Sequence, residues 1–223
     1  MASPNVGERR DGARPDLVVI HYTAMADCRA AAARLCDPAA EVSAHWLIGK
    51  DGTTLPLVEE SRRAWHAGAG QWGAVTDVNS RSIGIELDNT GAEPFSAPLM
   101  TSLERLLADI LDRWAIPPER VIAHSDMAPA RKIDPGPRFD WRRLALSGLS
   151  VWPEAPDDAP GQDRPLAASL RAFGYPDGDE ALLLSAFRLR FRPWADGPAD
   201  RVDAALAADL ARRFPVDRAR GSV

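Results

Sequence analysis

The sequence contains very little lysine. Of its 27 basic residues, only Lys50 and Lys132 are lysines, and the rest are arginines. The basic residues are mixed with 32 acidic ones along the chain, and the formal net charge is −5. A general nucleic-acid binder and a polybasic membrane-surface protein both need a concentrated basic face. The composition argues against both classes, and the positions of the two lysines remain to be explained.

Long hydrophobic runs are also missing. No apolar stretch approaches the ~20 residues that are needed to span a bilayer. The N-terminal segment, MASPNVGERRDGARPDL, is polar and lacks the apolar centre of a signal peptide. We therefore expect no membrane insertion and a cytoplasmic protein, with a periplasmic location as the alternative if the chain is truncated.

Cysteine occurs only twice, as Cys28 and Cys36 in one alanine-rich stretch. Two cysteines are too few for a disulfide framework. Their spacing on a predicted helix does not suit a zinc pair, which usually has shorter Cys spacing. We interpret both as small apolar fillers.

Strand and helix patterns alternate through the first two thirds of the chain. Apolar runs predict strands at 16–23, 82–89 and 120–126, and a hairpin at 43–60. The clearest helix pattern, at 97–116, has an apolar stripe at helical spacing. This alternation indicates an α/β fold.

The second half of the chain changes character near residue 149. A segment rich in Pro and Asp predicts a linker at 149–161, after an α/β domain at 16–148. Three helical patterns follow it. They predict a small all-α module at 162–216.

Two of the four histidines stand where an apolar strand stops. Strand ends in α/β domains face the crevice in which ligands bind, so His21 and His124 are expected to act together. Asp134 follows in a loop stiffened by Pro and Gly. Two imidazoles and one carboxylate are a typical catalytic zinc set, with the fourth position open. The alternative is that each histidine caps a strand or fills a hole.

Lys132 and Glu86 carry the chemistry that such a metal would need. The compact ammonium of Lys132 can stabilise a developing oxyanion, and chance placement is the alternative. Glu86 lies within a predicted strand, on the face shared with Gly84, where it can accept a proton from metal-bound water. Pairing of Glu86 with Arg81 is an equally good interpretation.

Several tryptophans flank the expected groove. Trp72 lies in a long Gly-rich loop and is the best candidate for stacking on a sugar. Trp46 follows the apolar pattern of a strand, and we expect it in the core.

Five motifs occur in order and at consistent spacing between residues 18 and 145. They are VVIHYTAM, VSAHWLIGKDG, AWHAG, NSRSIGIELDN and VIAHSDMAPARKIDPGPRFDW. Together they resemble the type-2 N-acetylmuramoyl-L-alanine amidases of the AmpD/AmiD type. These zinc enzymes share a fold with phage lysozyme-type amidases and peptidoglycan recognition proteins. The C-terminal helical patterns resemble the three-helix peptidoglycan-binding-like module that some members carry.

The resemblance implies a mixed central β-sheet flanked by helices, followed by the small helical module. It assigns one Zn²⁺ per chain to His21, His124 and Asp134, the acid/base role to Glu86, and transition-state stabilisation to Lys132. The phage type has cysteine where this chain has Asp134. The expected substrate contacts are His45, His66 and Asn79 from the resemblance and Trp72 from its loop.

The implied function is hydrolysis of the amide between the lactyl group of N-acetylmuramic acid, or its anhydro form, and L-alanine of the stem peptide. The expected partner is peptidoglycan or a soluble muropeptide, in wall turnover or recycling. Two alternatives stay open: a non-catalytic protein of the same fold that binds peptidoglycan or muropeptides, and an enzyme of this fold that acts on another amide.

Overall fold

The computed structural model describes residues 2–154 and 165–217, so most of the expected linker lies outside the described residues. The strands are β1 (Val6–Gly7), β2 (Leu17–Tyr22), β3 (Trp46–Ile48), β4 (Thr54–Pro56), β5 (Arg63–Ala64), β6 (Ser82–Leu87) and β7 (Val121–Ala123). The helices are α1 (Cys28–Leu35), α2 (Val78–Arg81), α3 (Ala97–Trp114), α4 (His124–Met127), α5 (Trp141–Leu146), α6 (Leu166–Phe173), α7 (Glu180–Phe191) and α8 (Arg201–Arg213).

The central sheet has five strands in the order β4-β3-β6-β2-β7. The pairs β3–β6, β6–β2 and β2–β7 are parallel, and β4 pairs antiparallel with β3 at one edge. The β3–β4 connection is the predicted hairpin, in which Gly52 has a φ of 87° that favours glycine. The predicted α/β fold with a mixed sheet flanked by helices is confirmed.

The two faces of β2 bury different cores because its side chains alternate. Val18 and Ile20 pack in the cluster that contains α3. Leu17 and Val19 pack in a second cluster with residues of the C-terminal helices. His21 shares the parity of Leu17 and Val19, so it lies on the face that the C-terminal helices cover.

The apolar stripe of helix α3 is buried in the core. Its residues Leu99, Leu103, Leu107 and Ile110 are all 0% exposed. Ser96 caps the N-terminus by accepting a hydrogen bond from the Leu99 backbone N–H. Each of these buried side chains stabilises the fold by about 1.5–3 kcal/mol relative to an exposed position.

The N-terminal segment before residue 16 packs on the α/β domain. β1 pairs with β5, and Arg9 is buried. The Arg9 guanidinium donates to the carbonyl oxygens of Glu60, Ser80 and Ser82. These contacts provide hydrogen-bond donors for backbone carbonyls in the turn before β5 and at the junction of α2 and β6.

The C-terminal helices are joined to the domain by a buried polar cluster. Arg190 of α7 donates to Asp126 Oδ2 at 2.5 Å and to the Val121 carbonyl at 3.0 Å. Its guanidinium carbon lies 4.2 Å from the Trp141 ring centroid, and the Tyr175 hydroxyl donates to Asp126 Oδ1 at 2.6 Å. A buried charge pair stabilises a fold only when such additional partners are present.

Two expectations from the composition concern the cysteines and membrane-spanning helices. Cys28 and Cys36 are free thiols, partly buried against the cluster of α1 that contains Ala31 and Leu35. This packing agrees with their interpretation as apolar fillers. Among the described helices, none is long and apolar enough to cross a membrane.

Candidate metal centre and active site

The three predicted metal ligands converge on one point. His21 comes from the end of β2, His124 from the first residue after β7, and Asp134 from the loop that follows α4. The two Nδ1 atoms are 2.9 Å apart, and each lies 3.0 Å from Asp134 Oδ2. The Asp134 carbonyl accepts a hydrogen bond from the Ser125 N–H at 3.0 Å, which holds the loop against the strand end.

The donor set fits a small cation. His124 Nε2 lies 2.9 Å from the Ala67 carbonyl, which can only accept, so this nitrogen carries the proton and Nδ1 has a lone pair. That lone pair faces the Asp134 carboxylate, and two acceptors at this distance repel each other unless a cation lies between them. Bonds of about 2.0 Å to a tetrahedral ion place its ligand atoms roughly 3.3 Å apart. The observed separations are close to that value.

The protonation states also suit metal binding. Burial, followed by the charge of His124, lowers the pKa of His21 to about 4, so its imidazole is neutral at pH 7. Neutral imidazole is the form that binds a metal.

Glu86 lies beside the ligand cluster because of the sheet register. It pairs with His21 across β6 and β2, and paired residues of parallel strands point to the same face. Its Oε2 is inaccessible to solvent, and within the described residues it has no hydrogen-bond partner. Burial, then the charge of Asp134, raises the pKa of Glu86 well above its usual value. Arg81, the alternative partner, pairs with Asp16 instead.

Lys132 lines the same cleft as Glu86 and the three ligands. Its charge counteracts the rise in the Glu86 pKa and contributes to the lowered His21 pKa. The neighbouring Arg131 also lines the cleft, and its guanidinium donates to the carbonyls of Ala67 and Ala69. Both cations therefore line the cleft, and Arg131 also fixes the loop that carries Ala67 and Ala69.

The cleft has a volume of about 710 Å³, which is sufficient for a ligand larger than a single sugar. One wall comes from the segment after β2 and from α1, and the opposite wall from the loop that carries Asp134. Sequence reasoning missed Tyr22, Arg34 and Ile133, which also line it. Tyr22 directly follows the predicted ligand His21, but the alternation of side chains along a strand predicts that it lies on the opposite face of the sheet. Arg34 and Ile133 gave no local signal.

Residues 11–137 match the family model Amidase_2, described as N-acetylmuramoyl-L-alanine amidase. The chain belongs to this amidase family.

Two curated relatives illustrate the extent of the similarity. The amidase is 36% identical over 238 residues to N-acetylmuramoyl-L-alanine amidase AmiD of Escherichia coli, which covers 92% of this chain and 85% of the relative. It is 40% identical over 107 residues to 1,6-anhydro-N-acetylmuramyl-L-alanine amidase AmpD of Haemophilus influenzae, which covers 48% of this chain and 58% of the relative.

Solved structures extend the comparison to the C-terminal helices. The E. coli AmiD complex with anhydro-N-acetylmuramic acid-L-Ala-D-γ-Glu-L-Lys superposes with a TM-score of 0.81 at 34% identity, covering 97% of this chain and 92% of that one. AmpDh3 of Pseudomonas aeruginosa, in complex with anhydromuramic pentapeptide, has a TM-score of 0.81 at 31% identity, with 92% and 94% covered. An AmpD structure covers only 66% of this chain, with a TM-score of 0.59.

Burial corrects two of the expected substrate contacts of the amidase. His45 is 0% exposed: its Nδ1 accepts from the Gly84 N–H, and its Nε2 donates to the Arg62 carbonyl. Burial, then the charge of Arg9, lowers its pKa to about 3, so it is a neutral hydrogen-bonding residue between strands.

Trp72 is the second correction. It is 1% exposed, and its ring contacts those of Phe173 and Tyr175 at centroid distances of 5.3 and 5.4 Å. The C-terminal helices cover the Gly-rich loop at this point, so the indole packs in the core and does not reach the cleft. Trp46 is partly buried against the α3 cluster, in agreement with its expected position.

The remaining two expected contacts lie closer to the ligands. His66 lines the cleft and contacts His21. Asn79 is buried behind it, where its Oδ1 accepts from the backbone N–H groups of His66 and Ala67. Asn79 therefore shapes the loop that carries His66, and that loop also supplies the Ala67 carbonyl that orients His124.

Proposed function

We propose that this amidase binds one Zn²⁺ through His21, His124 and Asp134 and cleaves the bond between the muramyl lactyl group and L-alanine. The observation that carries the proposal is the convergence of these three donors beside Glu86, whose Oε2 is buried and has no hydrogen-bond partner within the described residues. The two solved relatives that hold anhydromuramyl peptides support a muropeptide as the substrate.

The bound zinc would supply a Lewis acid for the carbonyl and lower the pKa of water. Glu86 takes the proton from the attacking water and later delivers it to the amine nitrogen of the leaving L-alanine. Its raised pKa suits both steps, because the protonated carboxyl must persist long enough to act as an acid. The Lys132 ammonium stabilises the negative charge that develops on the carbonyl oxygen.

We also propose that the chain is organised as a catalytic domain at 16–148, a linker at 149–161 and a helical module at 162–216. The contacts of Arg190 and Tyr175 with Asp126 support a bracing role for the module, since Asp126 is two residues beyond the ligand His124. In this proposal the module stabilises the strand end that presents a zinc ligand.

The proposed function can be tested with defined substrates. We expect the purified protein to contain about one zinc per chain, and to convert anhydro-N-acetylmuramyl tripeptide into anhydro-N-acetylmuramic acid and free tripeptide, identified by mass spectrometry. Chelation should abolish the reaction, and added zinc should restore it. Parallel assays with intact sacculi would compare soluble and polymeric substrates. A zinc-loaded protein that binds muropeptide and leaves it intact is a binding protein, and cleavage of another bond identifies a different amidase.

Replacing Lys132 with alanine should lower kcat by roughly 10²–10³-fold, the typical cost of removing one oxyanion donor, with the zinc content unchanged. Lys50 provides a matched control because it is the only other lysine. It lies in a surface ion pair with Glu93 at 2.8 Å, outside the cleft, so Lys50→Ala should turn over at the wild-type rate. Wild-type turnover in Lys132→Ala would rule out the proposed role.

A further inference from the structure

His66 connects a metal ligand to the interior of the sheet through consecutive hydrogen bonds. Its Nδ1 lies 3.0 Å from His21 Nε2, and its Nε2 lies 3.2 Å from Ser82 Oγ. The Ser82 hydroxyl in turn contacts the Val78 carbonyl at 2.5 Å. The series thus runs from a backbone carbonyl, through two side chains, to the imidazole of His21.

The backbone carbonyl sets the direction of every bond in the series. The Val78 oxygen can only accept, so the Ser82 hydroxyl donates its single proton to it. Ser82 Oγ can then accept from His66 Nε2–H, which leaves His66 Nδ1 with a lone pair. That lone pair accepts from His21 Nε2–H. The Nδ1 of His21 is therefore the unprotonated nitrogen, and it is the atom that faces Asp134 and His124.

The ring of His66 is held in place by the surrounding backbone. A Cβ on Gly84 would lie 2.4 Å from His66 Cγ, so the imidazole occupies the space that glycine leaves open in β6. The backbone N–H of His66 donates to Asn79 Oδ1 at 3.1 Å, which fixes the backbone from which the side chain starts. The arrangement restricts both the position and the orientation of the ring.

We propose that His66 is a positioning residue that, together with Ser82, holds His21 in the tautomer that presents Nδ1 to the metal. This inference rests on the proposed metal site, and it gives His66 a role other than contact with substrate. The two histidine ligands are thus oriented by different means: a backbone carbonyl orients His124, and a side-chain relay orients His21. Only the side-chain relay can be removed by substitution, because the carbonyl that orients His124 belongs to the backbone.

Zinc affinity is the quantity that the relay should control, and chelator competition measures it. His66→Leu removes the acceptor for His21 Nε2–H and puts an apolar side chain of similar size in its place. The affinity for zinc should fall about 10–100-fold, as for other outer-shell partners. In His66→Asn the amide oxygen takes the place of Nδ1 and can still accept, so most of the affinity should return. Ser82→Ala removes the end of the relay with little change in volume, and it should also weaken zinc binding.

Ser169→Ala is the matched control for Ser82→Ala. Ser169 is also buried, at 1% exposure, but it lies in α6 outside the relay, and its hydroxyl has no hydrogen-bond partner in the described part of the chain. This variant should bind zinc as tightly as the wild type.

A direct readout is the tautomer of His21 in the metal-free protein, observed by ¹⁵N-edited NMR of the histidine rings. We expect the Nε2–H form in the wild type and a mixture of tautomers in Ser82→Ala. Folded His66→Leu and Ser82→Ala variants with wild-type zinc affinity and an unchanged His21 tautomer would overturn the proposal. Both measurements are independent of hydrolysis, so they also distinguish failure of the relay from failure of the proposed function.

Discussion

Replacing Asp134 with alanine should remove zinc from the protein and eliminate hydrolysis of the muropeptide. Asp134 supplies the only carboxylate of the donor set, and its Oδ2 lies 3.0 Å from both imidazole nitrogens. Two neutral imidazoles alone leave the charge of the cation uncompensated in a buried site. Since a catalytic metal contributes several kcal/mol of transition-state stabilisation, we expect turnover to fall by at least ~10³-fold.

Metal analysis and kcat/KM, measured on the same preparation, test this expectation. Asp140→Asn is the matched control: Asp140 caps α5 by accepting from the Arg143 N–H, and asparagine caps equally well. That variant should retain zinc and activity. Asp134→Cys should also retain zinc, because a thiolate is a good zinc ligand. Full zinc occupancy in a folded Asp134→Ala protein would contradict the proposed ligand set.

Glu86→Gln should retain zinc and lower kcat by about 10²–10⁴-fold, the usual contribution of a positioned acid/base. Glutamine keeps the shape of the side chain, but it cannot accept the proton of the attacking water. Because Glu86 must be deprotonated to act as a base, the wild-type rate should fall as the pH falls through its raised pKa. The glutamine variant should lose this acidic limb of the rate profile.

A pH series of kcat/KM for the two proteins, with zinc content determined alongside, provides the measurement. Glu104→Gln is a suitable control, since Glu104 pairs with Arg143 at 2.7 Å outside the cleft. Its rate and its pH profile should match the wild type. If Glu86→Gln kept both the wild-type rate and the acidic limb, another group would have to serve as the base.

His21, His124 and Glu86 could be predicted from the sequence because each lies within or directly after a strongly patterned strand, and Asp134 because it follows His124 in a loop stiffened by Pro and Gly. An apolar run that stops at a histidine indicates a strand end, and strand ends meet at one edge of a parallel sheet. The proximity of Glu86 to His21 could not be predicted from the sequence, because it depends on the pairing of β2 with β6, two strands that are distant in the sequence.

Trp72 and His45 show where local reasoning failed. The glycines around Trp72 indicated an exposed loop, but Phe173 and Tyr175, about a hundred residues later, bury its ring. A Cβ on Gly174 would lie 2.3 Å from the indole, so the fit depends on a contact that no local window contains. His45 had a polar side chain near the expected groove, but its hydrogen bonds to β6 and to the Arg62 carbonyl turn it inward.

The sequence by itself determined the main strands and helices, the amidase motifs and the chemical types of the side chains, because periodicity and spacing are local properties of the chain. Only the tertiary structure decided which nitrogen of each histidine faces the metal site, which residues line the cleft, and that the C-terminal helices complete the core on the His21 face. Those properties depend on contacts between residues far apart in the chain, and no pattern along the sequence specifies them.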